Sequence, residues 1–303
     1  MASESSGNEP PREVHVRKIE NAPENKDHGA ATIEEVRKLE PGARHYRAYV
    51  GSPKAYDVSA ATQFTLMAAL GLREHHTLLD IGCGSLCAGR LFIPYLLPGG
   101  YYGIEPQAWL VEDGLHFEVG EELRRLKRPS FRYADDFSLT SFNALFDFML
   151  AQSVLTHVSQ TQLDRCLSQA KLALKPEGLF VASFFSNGRD TYSGDDWIYP
   201  RFASYPLKFV VERARQQGLH AYPLIWKNGY DHYWMVFAHD AHAERVSWLG
   251  DLTGEQRMLR ILELTNELNS VRRKYTKTKE ELKEASSELS KSRRDKPSPD
   301  EQS

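Results

Sequence analysis

The chain has 303 residues, 41% of them hydrophobic and 26% charged, the balance of a water-soluble globular protein with room for one large domain and appendages. Thirty-eight basic and 41 acidic residues leave a formal net charge of −3, so no overall electrostatic pull toward nucleic acid or an anionic membrane surface is expected. Cys83, Cys87 and Cys166 lie among apolar residues and outside any CxxC pairing, which argues against a disulfide framework or a structural metal site and for a reducing cytoplasm.

Residues 1–30 are rich in Ser, Glu, Pro and Asn and lack a repeating apolar face, so a flexible N-terminal tail without a secretory signal is expected. From 31 to 72 the pattern turns helical and aromatic, a helical cap interrupted by Gly51 and Pro53. Strand and helix patterns then alternate through a domain spanning 73–240. TLLDIG reads as a strand, LCAGRLFIPYLL as a helix starting near Leu86, GYYGIE as a strand, and 107–126 as one helix with Trp109, Leu110, Leu115 and Leu123 on its apolar positions. FRYAD and FDFMLA follow as strands, then a helix over 159–174, the strand GLFVASFF, a helix over 205–217, and the closing strands AYPLIW and HYWMVFAH. This alternation predicts an α/β fold, a doubly wound parallel sheet covered on both faces. Only KNGYD separates the last two strands, too short for a crossover, so they should pair antiparallel at the edge.

No stretch reaches 18 consecutive apolar residues, so no membrane span is expected. After a linker at 241–254, residues Ile261, Leu264, Leu268, Val271, Tyr275, Thr278, Leu282, Ala285 and Leu289 alternate steps of three and four, the spacing of a heptad seam. A coiled-coil helix over 255–290 is predicted, with homo-oligomerisation through 261–289. A lone amphipathic helix lying on the body is the alternative. The charged stretch 291–303 reads as a disordered tail.

The chemistry concentrates where LLDIG ends. Gly82 and Gly84 lack a Cβ and let the backbone pass close to a ligand, at the first strand–helix turn of a sheet that binds ligands outside its strands' carboxyl ends. A dinucleotide site would carry G-x-G-x-x-G, but Gly89 falls two residues late. Asp80 would repel a pyrophosphate and suits a ligand with an ammonium group. Glu105, closing GYYGIE, stands where a second strand's terminal acid accepts ribose hydroxyls. Past the third strand, Asp135 or Asp136 would take an adenine amino group with Phe137 against the ring. Sequence does not fix the strand's last residue, and Asp136 has a slight preference. Acids at successive strand ends describe S-adenosylmethionine from ammonium to ribose to base.

LLDIGCGS, the acid-terminated GYYGIE, YADDF, FDFMLAQSVLTHV and LALKPEGLFVASFF together resemble successive motifs of class I S-adenosylmethionine-dependent methyltransferases, over about residues 55–240. The resemblance implies a Rossmann-like, seven-stranded sheet with an antiparallel last strand and S-adenosylmethionine as cofactor. It places Asp80, Gly82 and Gly84, with the adjoining Ser85, at the cofactor turn, Glu105 on the ribose, Asp136 and Phe137 at the adenine, and Gln152 and Ser153 after the fourth strand. Leu86 stands where many members carry a third glycine.

Methyl transfer from a sulfonium asks the protein mainly to position the acceptor and sometimes to remove its proton. His157, past the fourth strand, is a candidate base or a packing residue, and His232 is a second candidate. In SNGRDTYSGDDWIYPRFASYP, where the resemblance places the acceptor pocket, Trp197, Tyr199 and Tyr205 would form an apolar or sugar-binding wall and Asp195 and Asp196 would hold polar groups. Equally, the stretch is a surface lid whose aromatics merely pack. Tyr230 is a further candidate for acceptor binding, and Tyr46, Tyr49, Tyr56 and Gln63 would close over the cofactor, though core packing of an amphipathic helix accounts for the tyrosines as well. LAQSV occupies the place of the Asn/Asp-Pro-Pro-aromatic motif of amino-methylating relatives, which tilts the expectation toward O-methylation of a small or medium-sized acceptor. RRLKR at 124–128 is too short to suggest nucleic acid. The alternatives are a catalytically silent scaffold working through its coiled coil and an NAD-linked oxidoreductase.

Overall fold

A computed structural model of the chain describes residues 32–188, 190–224, 226, 232–239, 267–268 and 270–283. Three helices, α1 (Ile33–Val36), α2 (Tyr46–Tyr49) and α3 (Tyr56–Ala69), precede the first strand. Then come β1 (Leu78–Ile81), α4 (Gly89–Tyr95), β2 (Tyr101–Ile104), α5 (Ala108–Gly114), α6 (Glu121–Lys127), β3 (Ser130–Arg132) and β4 (Phe146–Ala151). The chain continues through α7 (Gln160–Ala173), β5 (Leu174–Phe185), α8 (Leu207–Gln216), β6 (His220–Leu224) and β7 (His232–Ala238). The sheet order is β3-β2-β1-β4-β5-β7-β6, parallel except for β7, which runs antiparallel to both of its neighbours. This is the seven-stranded, doubly wound α/β sheet expected from the sequence.

Alternation along each strand supplies one face to each of two cores. Leu79, Met149, Ala151, Phe180, Ala182, Met235 and Phe237 pack with α7 and α8 through Leu163, Cys166, Leu167, Leu207 and Val210. Leu78, Phe148, Leu150, Val181, Trp234 and Val236 pack on the other side with Leu66 and Met67 of α3 and Phe92 and Ile93 of α4. Helix α7 is set by a capping box in which Ser159 and Gln162 satisfy each other's backbone N–H groups.

Several boundaries differ from the sequence expectation for identifiable reasons. The helix after β1 starts at Gly89 rather than near Leu86, because Leu86 has a left-handed φ of 60° and residues 84–88 form turns. The single helix expected over 107–126 is broken: a π-helical turn (Leu115–Val119) follows α5, and Gly120, at φ 84°, separates it from α6. Strand β3 ends at Arg132, short of the YAD that follows.

The expected tails at 1–30 and 291–303 and the linker at 241–254 lie outside the described residues. So does most of the heptad stretch. Within it, 270–283 is helical, and Leu268, Val271, Tyr275 and Leu282 are all exposed.

Candidate active site

The order of strands reverses between β1 and β4, so the loops leaving these neighbours diverge and open a crevice at their carboxyl ends. A cavity of about 550 Å³ lies there, within the range of small-molecule sites. Asp80, Gly82, Gly84, Glu105, Asp135, Phe137, Gln152, Ser153, His157, Trp197, Tyr199 and His232 all line it. The sequence thus brings residues from four strand ends, the β5–α8 loop and β7 to one place.

The glycine turn is shaped from both sides. Gly82 and Gly84 hold φ of 66° and 52°, which favours glycine. A Cβ on Gly82 would lie 2.4 Å from Val154 Cγ2, and one on Gly84 would lie 2.8 Å from Val50 Cγ1, so cavity-lining side chains also leave no room for one at either position. Gly89, too late for a dinucleotide motif, matters for another reason, since a Cβ there would come within 2.7 Å of the Tyr101 hydroxyl. That hydroxyl donates to Asp80 Oδ2 at 2.7 Å. The third glycine therefore makes room for the group that orients the first acid.

Asp80 is buried, and burial first, with a smaller contribution from the Glu105 charge, pushes its carboxyl up to about 7 against the lowering effect of Tyr101. Burial likewise raises Glu105 to about 7, opposed by the backbone N–H groups of Gln107 and Gly84, which donate to it at 2.9 and 3.1 Å. Neither acid has a basic partner among the described residues. Two buried carboxylates sharing a cavity without a counter-ion are costly unless a cation or strong donors arrive to meet them. That arrangement fits an ammonium-bearing nucleoside.

Of the paired acids after β3, the structure brings one to the cavity. Asp135, not Asp136, lines the cavity beside Phe137. Asp136 points into an exposed loop, where it accepts from the Ser138 backbone and hydroxyl and pairs with Arg165. Ser85 is not brought to the cavity. It is fully buried behind the turn, its Oγ 3.1 Å from the Tyr56 hydroxyl.

The part of the cavity around His157 is aromatic. The His157 ring stacks on Phe202 (5.2 Å between centroids, 25° between planes) and meets Tyr199 edge-on at 5.1 Å and Trp197 at 5.5 Å. Its Nδ1 donates to the Arg201 carbonyl at 2.7 Å, since a carbonyl can only accept, and this leaves Nε2 carrying the lone pair. Burial lowers the His157 pKa, so the ring is neutral near pH 7. His232 stands edge-on to Phe202 at 5.3 Å, and burial followed by the nearby His157 charge lowers it to about 4.

Tyr205 does not belong to this wall. It is fully buried, stacks on Phe209, donates to the Val158 carbonyl and does not line the cavity. Asp195 and Asp196 are exposed and do not line the cavity either. Tyr230 lies outside the described residues.

The N-terminal segment folds over the cavity. Tyr49, Tyr56 and Gln63 line it, whereas Tyr46 turns away and donates to Glu118. The Tyr199 hydroxyl donates to the Tyr49 carbonyl at 2.6 Å and joins this segment to the β5–α8 loop. Phe202 and Arg47 also line the cavity and were not singled out by sequence. Phe202 carried no motif, and Arg47, the one Lys or Arg among the described lining residues, reaches the cavity only because α2 folds back. Arg47 is held there by Glu118, at 2.5 Å from Nη2 and 2.7 Å from Nε.

No protein-family model matches the sequence. Among solved structures, the chain is similar to a DhpI–SAH complex at 14% identity, covering 68% of this chain and 94% of that one with a TM-score of 0.48. It is similar to magnesium protoporphyrin IX methyltransferase (ChlM) from Synechocystis PCC 6803 with bound SAH at 14% identity, covering 62% and 84%, with a TM-score of 0.46. A third is an S-adenosylmethionine-dependent methyltransferase from Clostridium acetobutylicum ATCC 824, at 11% identity, 61% and 92% coverage, and a TM-score of 0.46.

Proposed function

We propose that the chain is an S-adenosylmethionine-dependent methyltransferase acting on a small or medium-sized acceptor, with oxygen the favoured atom. The observation that carries this reading is the pair of buried carboxylates, Asp80 and Glu105, lining one cavity with no basic partner among the described residues. In this reading Asp80 receives the ammonium group, Glu105 the ribose hydroxyls, Asp135 the adenine amino group with Phe137 against the base, and Arg47 the α-carboxylate. Gln152 and Ser153 supply the adjoining polar edge. When bound, the cofactor supplies a methyl group on a sulfonium centre, already activated for in-line displacement. The chain's own residues orient the acceptor and exclude water. His157 Nε2 takes the acceptor hydroxyl's proton and returns it to solvent.

The NAD-linked reading is disfavoured at the same turn. Glu105 itself accepts from the Gly84 N–H, the amide a pyrophosphate would need. Titration calorimetry and thermal melting with S-adenosylmethionine, S-adenosylhomocysteine and NAD decide the matter. Binding and stabilisation by the first two, and not by NAD, are expected. No response to either sulfur compound would leave the scaffold as the better account.

The exposed row Leu268, Val271, Tyr275 and Leu282 supports self-association through the heptad stretch 261–289. Truncation after Gly254 is expected to keep cofactor binding and reduce oligomer size in light scattering. A monomer both before and after truncation would reject the seam. Among the described residues no helix is long and apolar enough to cross a membrane, and the three cysteines are free thiols. A cytoplasmic location is the compartment that suits those thiols.

A further inference from the structure

We infer that the acceptor end of the cavity recognises a flat, uncharged aromatic ring carrying a hydroxyl group, held against Phe202 and Trp197 with its hydroxyl toward His157. This rests on the proposed cofactor site, because it assigns the other half of the same cavity. Charge is segregated along the lining. The charged lining residues are Arg47, Asp80, Glu105 and Asp135, all given roles at the cofactor end, whereas Trp197, Tyr199, Pro200 and Phe202 carry none. The histidines between them, His157 and His232, are neutral near pH 7. An anionic acceptor would find no counter-ion there, and desolvating it would oppose binding.

A sugar is also poorly matched. Its ring of hydroxyls needs several fixed polar partners beside the aromatic face. The acids that might have supplied them, Asp195 and Asp196, are exposed off the wall, and Gln162 Oε1 is already engaged by the Ser159 N–H. What the wall offers instead is aromatic surface: Trp197 and Phe202 line the cavity yet remain 48% and 46% exposed. Rings in offset or edge-on contact attract beyond the area they bury. His157 offers such a ring one acceptor, Nε2, because Nδ1 is fixed on the Arg201 carbonyl. A neutral imidazole acceptor matches one hydroxyl donor.

Titration calorimetry of the 303-residue chain saturated with S-adenosylhomocysteine provides the test, with 2-naphthol, 2-naphthoate and methyl β-glucopyranoside as probes. Naphthol should bind at least about tenfold more tightly than the naphthyl carboxylate, from the cost of leaving a buried charge unpaired, and the glucoside should bind more weakly still. Equal or tighter binding of the carboxylate or the sugar would overturn the assignment. Phe202→Leu keeps apolar volume and removes the ring, and should weaken naphthol binding by about three- to tenfold. Its thermal shift with S-adenosylhomocysteine reports that the variant is folded. The same comparison without S-adenosylhomocysteine reads the aromatic wall alone. Unchanged naphthol affinity in Phe202→Leu would overturn the inference, whereas failure of S-adenosylhomocysteine to bind the wild type would count against the cofactor site instead.

Discussion

Replacing Asp80 by Asn is expected to weaken S-adenosylmethionine binding by about tenfold or more and, above pH 7, to make the ligand-free protein more stable than the wild type. The first effect follows from losing a charged hydrogen-bond partner, typically roughly 1.5–3 kcal/mol. The second follows from linkage. In the folded chain burial raises Asp80 from 3.8 to about 7 and Glu105 from 4.5 to about 7. Between the unfolded and folded values the native state holds protons that the unfolded chain has released, so stability falls as pH rises through roughly 4–7, and the full cost is present above 7. Asn cannot ionise and is spared its share of that cost. Glu105→Gln should behave alike, since the amide oxygen can still accept from the Gly84 or Gln107 N–H.

Thermal melting at pH 5.5 and pH 8 reads the difference: the advantage of Asp80→Asn over wild type should be several degrees at pH 8 and shrink at pH 5.5. Cofactor affinity of the wild type should rise over the same interval as the carboxylates ionise. Wild-type affinity in the variant, or parallel pH dependence of the two melting curves, would remove Asp80 from the site. The trade of stability for binding is the expected signature of acids kept buried for a ligand rather than for the fold.

The second large effect concerns His157. His157→Gln is expected to lower kcat with a phenolic acceptor such as 2-naphthol by about a hundredfold or more, the usual contribution of a positioned general base. Cofactor affinity should change little. Because burial lowers the His157 pKa below 6.5, wild-type kcat at saturating cofactor should be level near pH 7 and fall only on the acid side of 6.5. The variant should lose that acid limb. A packing role gives a different pattern: lower stability or a raised KM, with kcat and its pH profile retained. His232, with a pKa lowered to about 4, stays neutral throughout this range and cannot produce the limb.

Much of the architecture was legible in the sequence because it is written in local periodicities. Buried strands such as LLDI and FDFMLA read as short apolar runs between turn signals, and the five-residue gap before HYWMVFAH admitted no crossover. The acids at strand ends were legible for the same reason: a strand that stops at a glycine turn presents its last side chains to whatever lies beyond the sheet edge. Asp80 and Glu105 share a cavity because β1 and β2 are parallel neighbours in register, Asp80 opposite Gly103.

What only the tertiary structure decided lies within one residue of a strand end or across long sequence separations. Asp135 and Asp136 follow β3 in a bend, and the path of that bend after Arg132 brings Asp135 to the cavity and Asp136 to Arg165. Tyr205 and Phe202 sit in one aromatic stretch. The bridge from Ser204 to Phe185 draws Tyr205 under the sheet, where it accepts the Tyr233 hydroxyl at its carbonyl, while Phe202 stays on the wall. Arg47 reaches the site only through the folding back of α2, which its local pattern does not encode. Periodicity fixes which face a residue takes within an element, but where a loop turns and what it covers depends on contacts between distant parts of the chain.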